Sequence, residues 1–418
     1  MGTRMTKKKV LVLSDHALST SGVGTQTRHL IGGLLHYHPG EWTFRQFGAA
    51  LKHTDYETVV VNEDFIVKPI DGFGDQDMLR VALATEKPDI LLIFTDPRFF
   101  IWLWEMEDEI HQVCPIAYWH VWDNYPWPDF NRVLYDSTDL INCHSHMTYE
   151  MVKEHFPART NFIPHSLPED LFFPVPDDEA KRLKSEIIGK NRSDHFVGIW
   201  VNRNAKRKRP NDVLLAWKIF MKNLWDSHGH DKATLIMHTD PHDGEGPNLL
   251  ATAEMLGVNG SVFFSNQRLE FEKMNSLYNI CDFCINISYA EGFGLSTLES
   301  MNVGVPIVAA KTGGLTRQVV DHRDGTENGV ALDIDFKTLV GSQQVPYIYE
   351  DYVSCESIAN GIMRLYEKSQ DEKIELKKKV RSYAHSEFGY QKTIDAWHHT
   401  LTKLLEDWEY KSWECETL

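Results

Sequence analysis

The sequence predicts an α/β protein with two successive parallel-sheet domains, each covered by helices on both faces. Three observations support this. Apolar runs alternate with helical patterns along the 418 residues. The alternation stops at one segment rich in proline and acid, and then restarts. Glycine turns or charged loops follow several of the predicted strands. The chain length favours two or three domains, and a hydrophobic content of 42% is ample for packed cores.

The first half begins with a buried-strand run, "KVLVLS" (9–14), followed by the glycine turn "STSGVG" and a helical pattern. Further strand candidates are ETVVVN, DILLIFT, CPIAYWH, LINCHS and TNFIPHS. Helical stretches fill the gaps between them, so the strands are expected to run parallel in one sheet. The segment "PEDLFFPVPDDEAKR" (168–182) is the best linker candidate, and we place the first domain at 1–174.

The alternation then restarts with HFVGIWVN, a basic loop and a helix through DVLLAWKIFMKNL. The strand candidates of this second domain, which we place at 175–394, continue with ATLIMHT, SVFFS, FCINIS and VPIVAA. The last stretch of the chain is one long helical pattern. Ligands of open α/β folds bind outside the carboxyl ends of the strands, so the loops that follow strands are the places to look for a site.

The composition of the chain argues against several classes of function. The net charge of −17 disfavours general binding of nucleic acid or of anionic membranes. Six cysteines are too few for a disulfide scaffold, and Cys281 and Cys284 lie inside an apolar run, where we expect buried strand residues. No apolar run reaches the roughly 18 residues of a membrane span, and the N-terminus has no apolar signal region. We therefore expect a cytoplasmic protein with no membrane span.

A basic loop, "VNRNAKRKRPND" (201–212), leaves one predicted strand and leads into a helix. Its cationic residues are Arg203, Lys206, Arg207, Lys208 and Arg209. The loop is open to three interpretations: a nuclear-localisation or nucleic-acid tract, a solvated charged turn, or a clamp for phosphate. The forked, permanently charged donors of a guanidinium group suit phosphate oxygens.

The stretch "YAEGFGLSTLES" (289–300) combines a strand end, a glycine turn and a helix start. Glycine lets the backbone approach a ligand closely, and a helix N-terminus favours phosphate. Glu299 lies one to two turns into the helix, where its carboxylate can accept two hydrogen bonds from a ribose diol. Glu291, at the turn, can do the same for a second polyol. The arrangement suits a ligand in which a sugar, a diphosphate and a ribose follow one another. The alternative interpretation is a capped strand–helix turn with two surface glutamates.

The first glycine loop, "SGVG" (21–24), lacks the third glycine of the dinucleotide fingerprint, and no acidic residue ends a strand about 20 positions later. An NAD site is therefore not expected, and a tight turn is the better interpretation.

An aromatic segment, "YWHVWDNYPWPDF" (118–130), follows another strand and places His120 at the strand end. Sugar rings stack on aromatic faces, so the segment is a candidate carbohydrate site, although aromatic residues more often pack in cores. His120 is either functional or a hydrogen-bonded structural histidine. The segment's candidates for the acceptor side are Trp122, Asp123, Tyr125 and Trp127. Asp123 is either functional or a turn residue.

Together these residues resemble the family-4 retaining glycosyltransferases of the GT-B fold, also called glycosyl transferases group 1. The most specific part is "YAEGFGLSTLESMNVGVPIVAAKTGG" (289–314), which looks like the family's E-x7-E block with its G-x-P strand and double glycine. "HSHMTYEMV", "TNFIPHSLPEDLFFP" and "SEFGYQKTIDAWHHTL" look like further family segments. The resemblance implies two Rossmann-like domains that face a central cleft, with a C-terminal helix, 395–418, that crosses back to the first domain.

The resemblance also implies roles for individual residues. Glu299 would bind the ribose hydroxyls of a sugar nucleotide, and Glu291 would hold hydroxyls of the transferred sugar. His120 would lie near that sugar. The backbone amides expected to face the sugar and diphosphate are those of Gly292, Phe293, Gly294 and Leu295. Gly22 and Gly24 match the first glycine loop, beside the diphosphate and the acceptor.

Two cations would bind the diphosphate. Arg203 matches the first of them. The second, usually a lysine in the family, falls at Arg209, with Lys208 as a rival one residue away. An arginine at this position keeps the charge but changes the geometry of the contact.

The activity implied by the resemblance is transfer of a hexose-type sugar, with retention of configuration, from a UDP- or GDP-linked donor to a glycan or other hydroxyl acceptor. The mechanism is a front-face attack without an obligatory metal or cofactor. Two alternatives stay open: a sugar-nucleotide epimerase or phosphorylase on the same fold, and a non-catalytic scaffold that binds a glycan or nucleotide.

Overall fold

The computed structural model describes residues 7–51 and 55–409, which form two compact units. Unit 1 comprises the described residues up to Ser166 together with those from Tyr390 onward. Unit 2 comprises Leu167–Gly389. Unit 1 is therefore assembled from two stretches of chain that are separated by the whole of unit 2.

Unit 1 is built on one sheet. Its strands are β1 (Lys8–Asp15), β2 (Trp42–Ala49), β3 (Val59–Asn62), β4 (Phe65–Pro69), β5 (Ile90–Phe94), β6 (Ile116–His120), β7 (Leu140–Cys143) and β8 (Thr160–Phe162). Its first helices are α1 (Gly22–Tyr37), α2 (Gln76–Glu86), α3 (Ile101–Trp104), α4 (Glu107–His111), α5 (Arg132–Asp136) and α6 (His146–His155). The strand order is β3-β4-β2-β1-β5-β6-β7-β8. All neighbours are parallel except β3 and β4, which are antiparallel at the edge.

Unit 2 contains a second sheet and a separate hairpin. Its strands are β9 (Phe196–Val201), β10 (Ala233–His238), β11 (Val262–Ser265), β12 (Phe283–Asn286), β13 (Ile307–Ala310), β14 (Gly329–Leu332), β15 (Phe336–Val340) and β16 (Ile348–Tyr352). Its helices are α7 (Asp177–Ile187), α8 (Pro210–His228), α9 (Leu249–Leu256), α10 (Phe271–Asn279), α11 (Leu295–Val303), α12 (Leu315–Val319), α13 (Cys355–Tyr366) and α14 (Gln370–Phe388). The parallel sheet has the order β11-β10-β9-β12-β13-β14, and β15 and β16 form an antiparallel pair.

The central strands are apolar because both faces of each sheet are covered. In β1, Val10 and Val12 pack into one core cluster and Leu11 and Leu13 into another. The predicted alternation of strands and helices is thus confirmed. Cys281 and Cys284 are buried, as expected.

Some strands lacked the apolar signal. Strand β2 carries Gln46, which is nevertheless buried, because its side chain donates to the Ser14 hydroxyl (2.7 Å) and the Asp15 carbonyl (2.8 Å). A fully hydrogen-bonded polar residue can be buried at little cost, so polarity there did not mark a loop. The first sheet is parallel as predicted except at its edge, where the short β3 runs antiparallel to β4.

The boundary between the units lies at Ser166 and Leu167, whereas the sequence placed it at 174. The reason is that Leu167 and Phe172 are buried in the core of unit 2. The acidic part of the predicted linker forms the start of α7, which begins at Asp177.

The last described helix, α15 (Tyr390–Asp407), belongs to unit 1 and packs on α1. Its buried residues, Tyr390, Ile394, Trp397 and Leu401, recur at helical spacing and join the core cluster of β1. A Cβ atom on Gly33 of α1 would lie 2.5 Å from the side chain of Ile394, so the helix approaches closely. The return of the C-terminal helix to unit 1 is confirmed, with its start at residue 390 rather than 395, and residues 410–418 of the predicted segment lie outside the described residues.

Among the helices in 7–51 and 55–409, none combines the length and the apolar character that a bilayer crossing requires.

We expect Trp397→Ala to lower the free energy of unfolding by about 3–5 kcal/mol, because it removes a buried indole whose ring lies 4.9 Å from that of Trp119. The matched control is Trp225→Ala, on α8, where the indole is 58% exposed. Urea denaturation followed by circular dichroism measures both. Equal effects of the two variants would contradict the packing role of α15.

Candidate functional site

The basic loop is a tight turn between β9 and α8. A single 3₁₀ turn, Lys206–Lys208, follows the strand, and α8 begins at Pro210. A proline disfavours the right-handed helical conformation for the residue before it, and Arg209 has a left-handed φ of 56°. The reversal at Arg209 sends the side chains of Lys208 and Arg209 into different surroundings.

The predicted glycine turn lies between β12 and α11. Gly294, with a φ of 92°, stands directly before the helix. The amide of Gly314 donates to the Glu291 carbonyl (2.9 Å), and a Cβ atom on Gly314 would lie 2.5 Å from Cα of Phe293. The double glycine after β13 therefore packs directly against the turn, and a larger residue would displace it.

The two turns meet through a buried ion pair. The amide of Tyr289 donates to the Arg207 carbonyl (3.0 Å), and Nζ of Lys208 pairs with Oε2 of Glu291. Asn286 and Ser288, at the end of β12, donate to the same oxygen over 3.2 and 3.3 Å. The side chains of Lys208 and Glu291 are only 8% and 12% exposed.

The charge of Glu291 is fixed by these neighbours. Burial alone raises the pKa of Glu291, but the charges of Lys208 and Arg207, with hydrogen bonds from Lys208 and Asn286, outweigh it and hold this pKa at about 2. Glu291 is therefore ionised at neutral pH. Of the residues in 7–51 and 55–409, none donates a hydrogen bond to its other oxygen, Oε1, which leaves that oxygen for a ligand hydroxyl.

The backbone of the glycine turn is held from inside unit 2. Nε2 of Gln318 donates to the carbonyls of Phe293 (2.7 Å) and Gly294 (3.1 Å), and Thr297 donates to Oε1 of Gln318 (2.6 Å). Within the described part of the chain, no side chain caps the N-terminus of α11. Its first amides lack intrahelical partners, and the helix dipole adds positive potential there. The turn can therefore accept an anion on its amide side.

Glu299, in the middle of α11, has a different environment. The Tyr278 hydroxyl of α10 donates to Oε2 of Glu299 over 2.7 Å, and it is the only such donor in the described part of the chain. Burial raises the pKa of Glu299 to about 7, although the Tyr278 hydrogen bond acts in the opposite direction. The two glutamates thus differ in protonation near neutral pH.

Arg203 is exposed and is held by an acidic loop that follows β10. Its Nε and Nη2 atoms contact Asp243 at 2.7 and 3.2 Å, and Nη1 lies 2.9 Å from Glu245. These carboxylates stand where the sequence analysis expected phosphate.

The guanidinium of Arg209 binds groups other than Glu291, and its predicted role at a diphosphate stays a prediction. Nε donates to Asp212 (2.8 Å) and Nη2 to the Val353 carbonyl (2.8 Å). The group lies over the rings of Tyr289 and Tyr352, 5.1 and 5.5 Å from their centroids. The rival, Lys208, is the cation that meets Glu291.

His120 lies in the interior of unit 1. It ends β6 as predicted, but its ring is fully buried, with Nε2 2.7 Å from the Tyr135 hydroxyl and Nδ1 3.6 Å from the Cys143 thiol. Burial, with a smaller effect of His144, lowers the pKa of His120 to about 3. The ring is neutral and held within unit 1, and a role of His120 near the transferred sugar stays a prediction.

The aromatic segment divides into two classes. Trp127 is buried, with its ring 4.6 Å from those of Tyr135 and His155, which favours core packing, and its acceptor-side role stays a prediction. Tyr125 is 53% exposed, and Trp122 is half-buried with Nε1 bonded to the Pro126 carbonyl (3.0 Å). Asp123 is half-buried. For these three residues the acceptor-side role stays a prediction.

The first glycine loop is a tight turn. Helix α1 begins at Gly22, and the Ser21 hydroxyl caps it by accepting from the amide of Gly24 (3.0 Å). A Cβ atom on Gly24 would lie 2.4 Å from the His16 carbonyl oxygen, so only glycine fits. The role of Gly22 and Gly24 beside a diphosphate stays a prediction.

Sequence reasoning missed four side chains that build the site: Asn286, Ser288, Tyr278 and Gln318. Asn286 and Ser288 carry a usable signal, because they are polar residues at the carboxyl end of an apolar strand. Tyr278 and Gln318 reach the site only through the packing of α10 and α12, which no local pattern reveals.

Comparison with known families and proteins finds relatives of the region that contains this site. Residues 182–333 match the family described as Glycosyl transferases group 1. The D-inositol 3-phosphate glycosyltransferase of Corynebacterium jeikeium is 28% identical over 217 residues, 49% of each chain. The enzyme of that name from Mycobacteroides abscessus is 41% identical over 175 residues, 40% of this chain and 35% of its own. The chain spans about half the length, or less, of these two relatives.

Solved structures resemble nearly the whole chain. The sucrose-phosphate synthase of Thermosynechococcus elongatus has a TM-score of 0.72 at 14% identity and covers 96% of this chain and 100% of its own. Anabaena HepE, in complex with UDP and glucose, has a TM-score of 0.67 at 16% identity, with 95% and 100% covered. Identities this low show the fold alone, and the predicted GT-B fold is confirmed.

We expect Lys208→Met to lower the free energy of unfolding by about 3–5 kcal/mol, because it leaves the Glu291 carboxylate buried without its cation. The double variant Lys208→Met/Glu291→Gln should recover most of this loss. Urea denaturation at pH 7 measures the free energy of unfolding of the wild type and of both variants. The control is Lys218→Met, on the exposed side of α8. A loss below about 1 kcal/mol in Lys208→Met would contradict the ion pair.

We expect Glu299→Gln to stabilise the ligand-free protein as the pH rises. The pKa of Glu299 is about 7 in the folded protein, above its ordinary 4.5, so the wild type loses stability as pH increases through this interval. Glutamine keeps an acceptor for Tyr278 but does not titrate, so the variant should gain up to about 3 kcal/mol relative to wild type above pH 7. Melting temperatures from pH 5 to 8 measure this, with Glu272→Gln, exposed on α10, as the control. A difference in melting temperature between Glu299→Gln and wild type that does not change with pH would contradict the raised pKa of Glu299.

Proposed function

We propose that this chain, which carries a domain of the glycosyl transferases group 1, transfers a sugar from a nucleotide-diphosphate sugar to a hydroxyl acceptor. One observation carries the proposal. An ionised glutamate paired with a lysine stands at a glycine turn, directly before a helix whose N-terminus receives no side-chain cap from residues 7–51 and 55–409. Such a turn offers hydrogen-bond acceptors to sugar hydroxyls and donors to phosphate within a few ångströms.

The donor is proposed to lie along α11. Glu299 binds the two ribose hydroxyls, and the amides of Gly292, Phe293, Gly294 and Leu295 face the diphosphate and the sugar. Oε1 of Glu291 accepts from hydroxyls of the transferred sugar, while Oε2 stays with Lys208. The transferred group is a hexose-type sugar on UDP or GDP. Anabaena HepE, whose fold this chain shares, is described with UDP and glucose, which supports the choice of a nucleotide sugar.

Two cations stabilise the leaving diphosphate. Lys208 takes the place first assigned to Arg209, because its ammonium group lies at the turn. Arg203 reaches the phosphates by exchanging Asp243 and Glu245 for phosphate oxygens, with which its forked donors pair equally well. His120 has no part in this proposal, since its ring is held in the core of unit 1.

The proposed reaction is a front-face substitution with retention of configuration. The bond between the anomeric carbon and the phosphate oxygen breaks, and the electron pair goes to the diphosphate. The acceptor hydroxyl attacks the same face of the oxocarbenium-like sugar and gives its proton to the leaving phosphate oxygen. Lys208, Arg203 and the dipole of α11 stabilise the charge that develops on the diphosphate, and no metal is required.

The acceptor is a glycan or another hydroxyl compound. Trp122 and Tyr125 are proposed contacts on unit 1, because their rings are at least partly exposed and sugar rings stack on such faces. Asp123 is the proposed polar contact beside them.

We expect UDP- or GDP-sugars to be cleaved in the presence of hydroxyl acceptors, with release of the nucleoside diphosphate. Lys208→Ala should lower kcat/KM by about 10²–10³-fold, because the charge that develops on the leaving group loses its cation. Glu299→Ala should act mainly on donor KM. The control Lys218→Ala should leave both values unchanged.

The product separates this function from its alternatives. A new glycoside with retained anomeric configuration, formed equally well with EDTA, supports the proposal. An epimerised sugar nucleotide, a sugar phosphate, or binding of nucleotide without turnover of any donor would contradict it and favour an epimerase, a phosphorylase or a scaffold, respectively.

A further inference from the structure

Tyr278 of α10 makes the hydrogen bond to Glu299 from inside unit 2. Its ring is fully buried and packs edge-on against Phe172 at 5.8 Å, so the hydroxyl has a fixed position. That hydroxyl donates to Oε2 of Glu299 over 2.7 Å. The reaction proposed above assigns Tyr278 no part.

The other ionisable groups on the elements that pack against α11 are neutral, exposed or bonded elsewhere, so Tyr278 is the main partner of Glu299. In β12, the Cys284 thiol faces it, and burial raises the pKa of this thiol to about 12, so it is neutral. In α14, Arg381 is bonded to the Asn302 carbonyl (3.1 Å), and Lys377 is exposed. In α12, Arg317 pairs with Glu387 (2.6 Å). Strand β13 is entirely apolar.

The chemistry of a diol fixes the protonation that binding needs. A carboxylate offers about four acceptor positions, so it can take two ribose hydroxyls while Tyr278 keeps one position. When the carboxyl group is protonated, one of these acceptor positions becomes a donor. The group then accepts fewer hydrogen bonds from the two ribose hydroxyls. Since burial raises the pKa of Glu299 to about 7, the ligand-free protein holds a substantial protonated fraction near neutral pH.

We propose that Tyr278 is a positioning residue for the ribose-binding carboxylate of Glu299, and that nucleotide binding releases the carboxyl proton to solvent. This inference rests on the function proposed above. The O–H bond of Glu299 breaks, the proton passes to buffer, and the carboxylate accepts two hydroxyl hydrogen bonds. The Tyr278 hydroxyl favours the ionised form, because it donates to it. Nucleotide affinity therefore falls as the pH drops below neutrality.

Calorimetric titration with UDP and GDP tests this between pH 5.5 and 8.5, in buffers of low and high ionisation enthalpy. For the wild type we expect release of close to one proton per site near pH 6 and almost none above pH 8. In Tyr278→Phe, the release curve should move to higher pH by about one unit, with a roughly tenfold loss of affinity at pH 6.5 that disappears at pH 8.5. The control is Tyr366→Phe, on α13, whose hydroxyl lies 3.2 Å from His230.

A merely structural role would lower affinity equally at every pH, and that result would overturn the proposal. So would binding to the wild type without release of a proton. If nucleotide is bound and sugar is transferred but the curves of wild type and Tyr278→Phe superimpose, this inference alone fails. If neither nucleotide binds to the wild type at any pH, the proposed function fails and the inference falls with it.

Discussion

The buried ion pair between Lys208 and Glu291 is the contact on which the candidate site depends. It joins the turn after β9 to the turn after β12, which are more than 80 residues apart in sequence. Neither charge is tolerable there alone, so each turn is stable only while the other supplies its partner. Asn286 and Ser288 complete the coordination of the carboxylate, and the amide of Tyr289 ties the two backbones together. The residues assigned to the chemistry are therefore also those that hold the turns in place.

The two glutamates show how one short segment creates two electrostatic environments. Glu291 faces cations and donors, which keep it ionised far below neutral pH. Glu299, eight residues later, is half-buried and accepts one hydroxyl hydrogen bond within the described part of the chain. Loss of hydration raises its pKa to about 7, although the Tyr278 hydroxyl acts in the opposite direction. Equal residue types therefore do not imply equal charge. The first carboxylate is a permanent anion, whereas the charge of the second depends on pH and on what it binds.

The sequence predicts those parts of the molecule that leave a local pattern. Apolar runs mark strands buried on both faces, and the glycine turn with its two glutamates marks the end of β12. Strand β2 is not predicted, because Gln46 interrupts its apolar pattern. In the sequence, a buried polar residue with hydrogen bonds cannot be told from a loop residue. The choice between Lys208 and Arg209 depends on one left-handed backbone residue, which reverses the directions of two adjacent cations. The position of His120 at a strand end is predictable, but the direction of its ring is set by Tyr135 and Cys143.

The insertion of unit 2 into unit 1 has a consequence for biosynthesis. Unit 2 is continuous, so all of its strands have been synthesised before α15 is translated. Unit 1 needs that last helix to cover Trp119 and the face of β1 against which Trp397 packs. Its apolar surface must therefore stay uncovered while more than 200 further residues are made. Since exposed apolar surface promotes aggregation, the nascent N-terminal half is the part of this chain with the greatest need of a chaperone.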